Sequence, residues 1–222
     1  MNYILFDGPN RDALLPFTYT RPVADIRIGI LTIREKWELS LGATTTTITE
    51  DYLSEKYPMV EMEDNVMINA SYLPSVTLLN QVKNLSKNQA VYDGDTIVAF
   101  FSSEDQDIDF DLFEILSCDD SVIKVEKTWD IFSKNGAAIT ADFELITDGR
   151  TSAAIPERTE AFNTEKIFIE EGAQLPLCVL NATNGPIYIG KNSEIMEGSL
   201  VRGPFALCEG SVLKMGAKIY GS

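Results

Sequence analysis

The apolar and polar positions of this chain change their period along its length. Tyr3-Ile4-Leu5-Phe6 is a short apolar run that predicts a buried first strand. The turn-forming Asp7-Gly8-Pro9-Asn10 follows, then a long polar loop up to Gly29. Ile30, Ile33, Trp37 and Leu41 fall at helical spacing. The β-branched run Thr44 to Thr49 predicts a second strand, and Glu50 to Tyr57, ended by Pro58, a short helix. Asn65 to Asn69 reads as a third buried strand, with a helix carried by Val76, Leu79, Val82 and Leu85. Strand and helix thus alternate over the first 85 residues, the pattern of a mostly parallel sheet with helices on both faces.

From residue 89 the pattern shifts. Gln89 to Tyr92 and Thr96 to Phe101 flank Asp93-Gly94-Asp95, which predicts a hairpin. The acidic stretch Ser102 to Asp111 carries Asp105, Asp107 and Asp109 at calcium-loop spacing. It lacks the central glycine and closing glutamate of such a loop and reads as solvated. Val122 to Val125 predicts another strand. Trp129–Phe132 and Ala137–Ile146 predict helices broken at Asn135-Gly136. Residues 150–165 are polar and aperiodic, as in a linker.

Beyond the linker an apolar residue recurs every sixth position: Ile189, Ile195, Val201, Leu207, Leu213 and Ile219. Four residues after the first five stand Ser193, Ser199, Phe205, Ser211 and Ala217, small in four cases of five. The same register appears at Ile169 with Ala173 and at Leu175 with Val179, and the Asn181 to Pro186 turn breaks it by two residues. A period of six is neither helical nor strand-like. It predicts a solenoid with three hexads per triangular coil, apolar residues pointing inward. Domains are expected at 1–155 (α/β) and 156–222 (hexapeptide repeat). The last hexad is uncapped, which suggests a chain cut within its repeat or an end covered by another subunit.

Composition narrows the chemistry. The chain has no histidine, which removes the commonest general base and zinc ligand. A net charge of −16 argues against nucleic acid and anionic membranes as partners. No run of about 18 apolar residues predicts a membrane span, and no basic region with an apolar core predicts secretion. Cys118, Cys178 and Cys208 lack CxxC spacing, as expected of buried thiols in a cytoplasmic protein. Residues 1–37 carry a net +1, so the remainder carries −17. An anion would find its best landing at the opening loop with Arg11, Arg21 and Arg27, unless those arginines pair with local acids. A strand that empties into a Gly-containing loop and then a helix is how α/β folds present phosphate sites.

The segments LFDGPNRDALLPFTYTRPVADIRIGILTIREKW (5–37), INASYLP (68–74), VYDGDTIVAFF (91–101) and GPIYIGKNSEIMEGSLVRGPFAL (185–207) together carry a resemblance. The chain resembles the sugar-1-phosphate nucleotidyltransferases joined to a left-handed β-helix. It is most similar to the bifunctional N-acetylglucosamine-1-phosphate uridyltransferase/glucosamine-1-phosphate acetyltransferase-like (GlmU-like) branch known from Bacteroidetes. The resemblance implies UMP transfer from UTP to N-acetylglucosamine-1-phosphate in nucleotide-sugar synthesis, with trimerisation through the solenoid. Acetyl transfer in such enzymes uses a histidine base later in the solenoid, which this chain lacks.

On the resemblance, Gly8 maps to the nucleotide loop, and Arg11 and Arg21 are the phosphate contacts expected to act in catalysis, with Arg27 next. Asp7 and Asp25 are expected to meet sugar hydroxyls, a metal or the arginines. Asn69 and Ser71 are substrate-binding candidates. The resemblance also implies Mg²⁺, but Ser71 stands where the characterised enzymes have the metal-binding aspartate. A degenerate domain that binds nucleotide sugar or only supports the solenoid is the alternative.

Overall fold

The computed structural model describes residues 1–103, 105, 108–118 and 121–221. Two compact units are present: Met1–Arg27 with Leu31–Ile131, and Ile28–Ile30 with Phe132–Ser222.

In the first unit, β1 (Asn2–Phe6) is buried along its centre. Three 3₁₀ turns, Arg11–Leu14, Phe17–Tyr19 and Val23–Asp25, carry the chain through the opening loop. Helix α1 (Ile33–Leu41) starts at Thr32, whose hydroxyl accepts the Glu35 amide while the Glu35 carboxylate accepts the Thr32 amide. Trp37 on α1 is fully buried and donates its indole N–H to the Tyr72 carbonyl at 2.9 Å. There follow β2 (Thr45–Ile48), the single-turn α2 (Asp51–Ser54), β3 (Asp64–Asn69), α3 (Val76–Asn84) and the hairpin β4 (Gln89–Asp93) and β5 (Thr96–Ser103). β6 (Glu114–Ser117) adds a strand that the hydrophobic pattern does not predict, since three of its four residues are exposed.

These strands form one sheet in the order β2-β1-β3-β5-β4-β6. β1 pairs in parallel with β2 and β3, and β4 with β6, while β5 runs antiparallel to both its neighbours. Val122 to Val125 does not form a strand. It meets the post-β3 segment through a single antiparallel bridge, Tyr72 to Lys124. In the acidic stretch, Asp109 caps a 3₁₀ turn by accepting the Asp111 amide. The Asp107 of the calcium-loop spacing lies outside the described residues.

The second unit holds helix α5 (Asn135–Thr147), which follows a turn of helix α4 (Asp130–Ser133). The helix break therefore falls at Lys134. Asn135-Gly136 lies inside the first turn of α5, where the Asn135 Oδ1 accepts the Gly29 amide at 2.8 Å. Asp142 of α5, buried, accepts the Ile30 amide at 2.7 Å. These bonds join Ile28–Ile30 to the second unit.

The expected linker over 150–165 is structured in part. β7 (Glu160–Phe162) pairs with β9 (Val179–Asn181), so backbone hydrogen bonds order a stretch without apolar periodicity. The other short strands are β8 (Ile167–Ile169), β10 (Ile187–Ile189), β11 (Glu194–Ile195), β12 (Leu200–Arg202), β13 (Phe205–Leu207), β14 (Val212–Leu213) and β15 (Lys218–Ile219). They form three parallel sheets, β13-β10-β8, β11-β14 and β15-β12-β9-β7. Ile187 pairs with Phe205, Glu194 with Val212 and Leu200 with Lys218, each a step of 18 residues. Ile189, Ile195, Val201 and Leu207 are buried in one apolar core, with Leu213 and Ile219 packed against it. Ser193 and Ser199 are also buried, and their hydroxyls donate to the carbonyls of Gly190 and Lys214. No helix among the described residues is long and apolar enough to cross a membrane.

Candidate functional site

β1, β2, β3 and β4 end at one edge of the sheet, and β5 begins there. The chain leaves β1 towards β2 on one side and resumes at β3 on the other. In open α/β sheets such a switch point opens a crevice outside the strand ends, where ligands bind. Gly8, just past β1, closes this point against the Asn69 side chain at the end of β3. A Cβ on Gly8 would sit 2.5 Å from Asn69 Oδ1 and 2.6 Å from Nδ2. Asn69 cannot yield easily, because its Nδ2 donates to the Ile97 carbonyl at 3.1 Å and its Oδ1 accepts the Ser71 amide at 3.0 Å. The sequence assigned Gly8 to nucleotide approach, whereas in the structure its missing side chain admits Asn69. Gly8→Ala is expected to lose about 1–3 kcal/mol of stability through overpacking, read as a lower urea midpoint for the first unit.

Beside Gly8, Asp7 and Arg11 form a buried pair at 3.0 Å, with side chains 6% and 10% exposed. Asp7 Oδ1 also accepts the Val23 amide at 2.8 Å, and Oδ2 the Thr49 hydroxyl at 2.7 Å. Arg11 Nη2 donates to the Thr18 carbonyl at 2.7 Å and to Tyr52 Oη at 2.9 Å, while Nη1 faces Asp12 and Glu50 at 3.8 and 4.0 Å. Burial alone would weaken the guanidinium charge. Tyr52, Asp7 and Glu50 more than offset it and hold the Arg11 pKa above its ordinary value. Nε and Nη2 of Arg11 are therefore engaged by the chain itself, which gives the guanidinium a part in holding the fold. A cleft of ≈ 320 Å³ lies over this network, lined by Asp7, Gly8, Arg11, Asp12, Thr49 and Glu50 among others.

The other predicted residues divide. Asp25 is paired to Arg34 at 2.7 Å, and Arg34 also reaches Thr45 and Thr47 on β2. Arg27 lies 3.7 Å from Glu35 and is half exposed. Arg21 is exposed and makes no hydrogen bond or ion pair with any described residue. The Asp7–Val23 bond, two residues on, keeps Arg21 near the end of β1.

The segment Ile123–Glu126 contributes residues that the sequence reading left out. Leu73 N–H donates to the Ile123 carbonyl at 2.9 Å and Val125 N–H to the Ser71 carbonyl at 2.7 Å. Lys124 Nζ meets Asp93 Oδ2 at 2.6 Å, and the Tyr72 hydroxyl donates to the same oxygen at 2.8 Å. Two residues on, Asn10 Nδ2 donates to Glu126 Oε1 at 3.2 Å. This segment thus spans the strand ends from β4 to the turn after β1. Lys124 and Tyr72 hold the Asp93 carboxyl below the usual carboxylate range, and Asp93 raises Lys124 in turn. Burial, then Asp93, pushes the Tyr72 phenol up. The only trace of this in the sequence was the strand signal at Val122 to Val125.

The residues that the resemblance offers to a magnesium ion are neutral or engaged within the chain. Ser71, where the resemblance expects a metal carboxylate, is neutral and fully buried, and its hydroxyl has no hydrogen-bond partner. Asp7 has both oxygens engaged, and Asp25 faces Arg34. Among the described residues no group of three His, Cys, Asp or Glu is placed to hold a metal.

A comparison with curated proteins finds no match. The family model for sugar nucleotidyl transferase matches residues 3–151, which contain all of the six-stranded sheet but Asn2 and the residues gathered at its carboxyl edge. With more than half of its length matched, the chain belongs to the sugar nucleotidyl transferase family.

Proposed function

We propose that the chain transfers UMP from UTP to N-acetylglucosamine-1-phosphate, releasing pyrophosphate, as a GlmU-like protein of nucleotide-sugar synthesis. The observation that carries this reading is the crevice at the β1–β3 switch point, inside the region matched by the family model. A sugar-phosphate oxygen attacks the UTP α-phosphorus, and the bond to the bridging oxygen breaks, so that pyrophosphate leaves with the electron pair. The nucleophile is already anionic at neutral pH, so the reaction needs no histidine base. What the protein supplies is position and charge neutralisation. Arg21, exposed and without a partner among the described residues, is the loop arginine left to meet a phosphate. The repeat, with its 18-residue steps, fits a left-handed β-helix through which three copies assemble. Light scattering tests that assembly.

Arg21→Ala should weaken binding of UTP or the sugar phosphate by about 1.5–3 kcal/mol, with the loss shrinking as salt rises. Calorimetry with each ligand, followed by a pyrophosphate-release assay, tests the proposal. Binding with turnover supports the transferase. Binding without turnover supports a second reading, a degenerate domain that only binds nucleotide sugar, which the enclosure of Arg11 favours. No binding in the millimolar range would sink both.

A further inference from the structure

The opening loop offers the candidate crevice Arg21 as a phosphate contact, one cation for two polyanionic substrates. Arg11 is enclosed, and the cleft beside it is lined by Asp7, Asp12 and Glu50. Two polyanions cannot be brought together there without other cations. The segment Ile123–Glu126 runs along the same edge, bonded to Ser71 and Leu73 after β3 and to Asn10 after β1. Its one cation is Lys124, whose side chain is 36% exposed and so within reach of a ligand. Lys124 Nζ is held by Asp93 Oδ2, an oxygen that also accepts the Tyr72 hydroxyl. An ammonium is a compact charge on a flexible stem, able to swing from one anion to another.

We infer that Lys124 is a substrate-phosphate-binding residue of this site, parked on Asp93 until a phosphate takes the carboxylate's place. The inference rests on the transferase reading and adds to it a binding residue and its competitor. Asp93 then has a role opposite to that of a ligand contact, since it tunes affinity downward by competing for the ammonium. Tyr72 keeps Asp93 in place through the second hydrogen bond to Oδ2. A purely structural pair differs in what it predicts, because breaking it from either side should have the same consequence.

The test uses the full chain and its Lys124→Met, Lys124→Arg and Asp93→Asn variants. Each is titrated by calorimetry with UTP and separately with N-acetylglucosamine-1-phosphate, and folding is checked by circular dichroism. Lys124→Met should weaken one of the two ligands about 10-fold or more, the size of a lost charged hydrogen bond. The ligand affected shows which phosphate Lys124 holds. Lys124→Arg should restore most of that affinity. Asp93→Asn should strengthen the same ligand several-fold, because the competing carboxylate is gone. If Lys124→Met and Asp93→Asn lower the melting temperature alike and leave both affinities within about twofold of the parent, Lys124 is structural and the inference falls while the transferase reading stands. If the parent chain binds neither ligand, both fall together.

Discussion

Val201→Asp should unfold the second unit. Val201 is 1% exposed and sits in the core shared by Ile189, Ile195 and Leu207. An aspartate there would sit among the apolar side chains of that core, and burying an unpaired charge belongs to the mechanisms that cost about 4–5 kcal/mol or more. That is comparable with the whole stability of a domain, about 5–15 kcal/mol. Val212 supplies the control, since it is 43% exposed on β14, in another sheet of the same unit. Val212→Asp should change stability by under about 0.5 kcal/mol. Thermal melts followed by circular dichroism separate the two. Equal melting temperatures for both variants would mean that the sixth-position residues do not hold this unit together.

Arg11→Ala should chiefly cost stability rather than ligand affinity. Removing the guanidinium leaves Asp7 buried beside only the Val23 amide and Thr49 hydroxyl, and leaves the Thr18 carbonyl with only the long 3.5 Å hydrogen bond from the Tyr52 hydroxyl. Breaking a buried pair from one side costs about 3–5 kcal/mol. The two remaining donors to Asp7 place the loss at the lower end of that range. Arg11→Lys should not rescue it, because one ammonium cannot serve Asp7, Thr18 and Tyr52 together as the planar fork does. Urea unfolding measures the effect. A variant that keeps its stability and loses only UTP affinity would return Arg11 to the phosphate role.

The contrast between Arg11 and Arg21 shows where the sequence stopped being legible. Charge counting located the cations, but not which had been claimed by acids. Asp7 and Arg11 lie four residues apart, a spacing that could have hinted at pairing. Asp25 with Arg34 and Asp93 with Lys124 join separate elements and leave no local signal. The buried strands β1 and β3 and the repeat were legible because burial on both faces and six-residue spacing each impose a composition. β6 and β7 were not. Their ladders are made by backbone groups while their side chains face largely outward, so no apolar pattern is required. Asn135-Gly136 misled for a related reason: a local turn preference was overridden by the amide of Gly29, which Asn135 accepts from far along the chain.

The stepping of the parallel ladders constrains how this protein's length can vary over evolution. Earlier pairs step by more than 18 residues: Glu160 with Val179, Ile167 with Ile187 and Val179 with Leu200 span 19, 20 and 21. The two longest spans contain the turn at 181–186. Beyond it the spacing returns to 18 in all three sheets. That corner absorbs extra residues without shifting the inward side chains that follow. A single insertion within a strand would instead turn every later apolar residue of that coil outward. Lineages of this fold are therefore expected to gain or lose residues one by one only at such corners, and elsewhere in blocks of a whole coil.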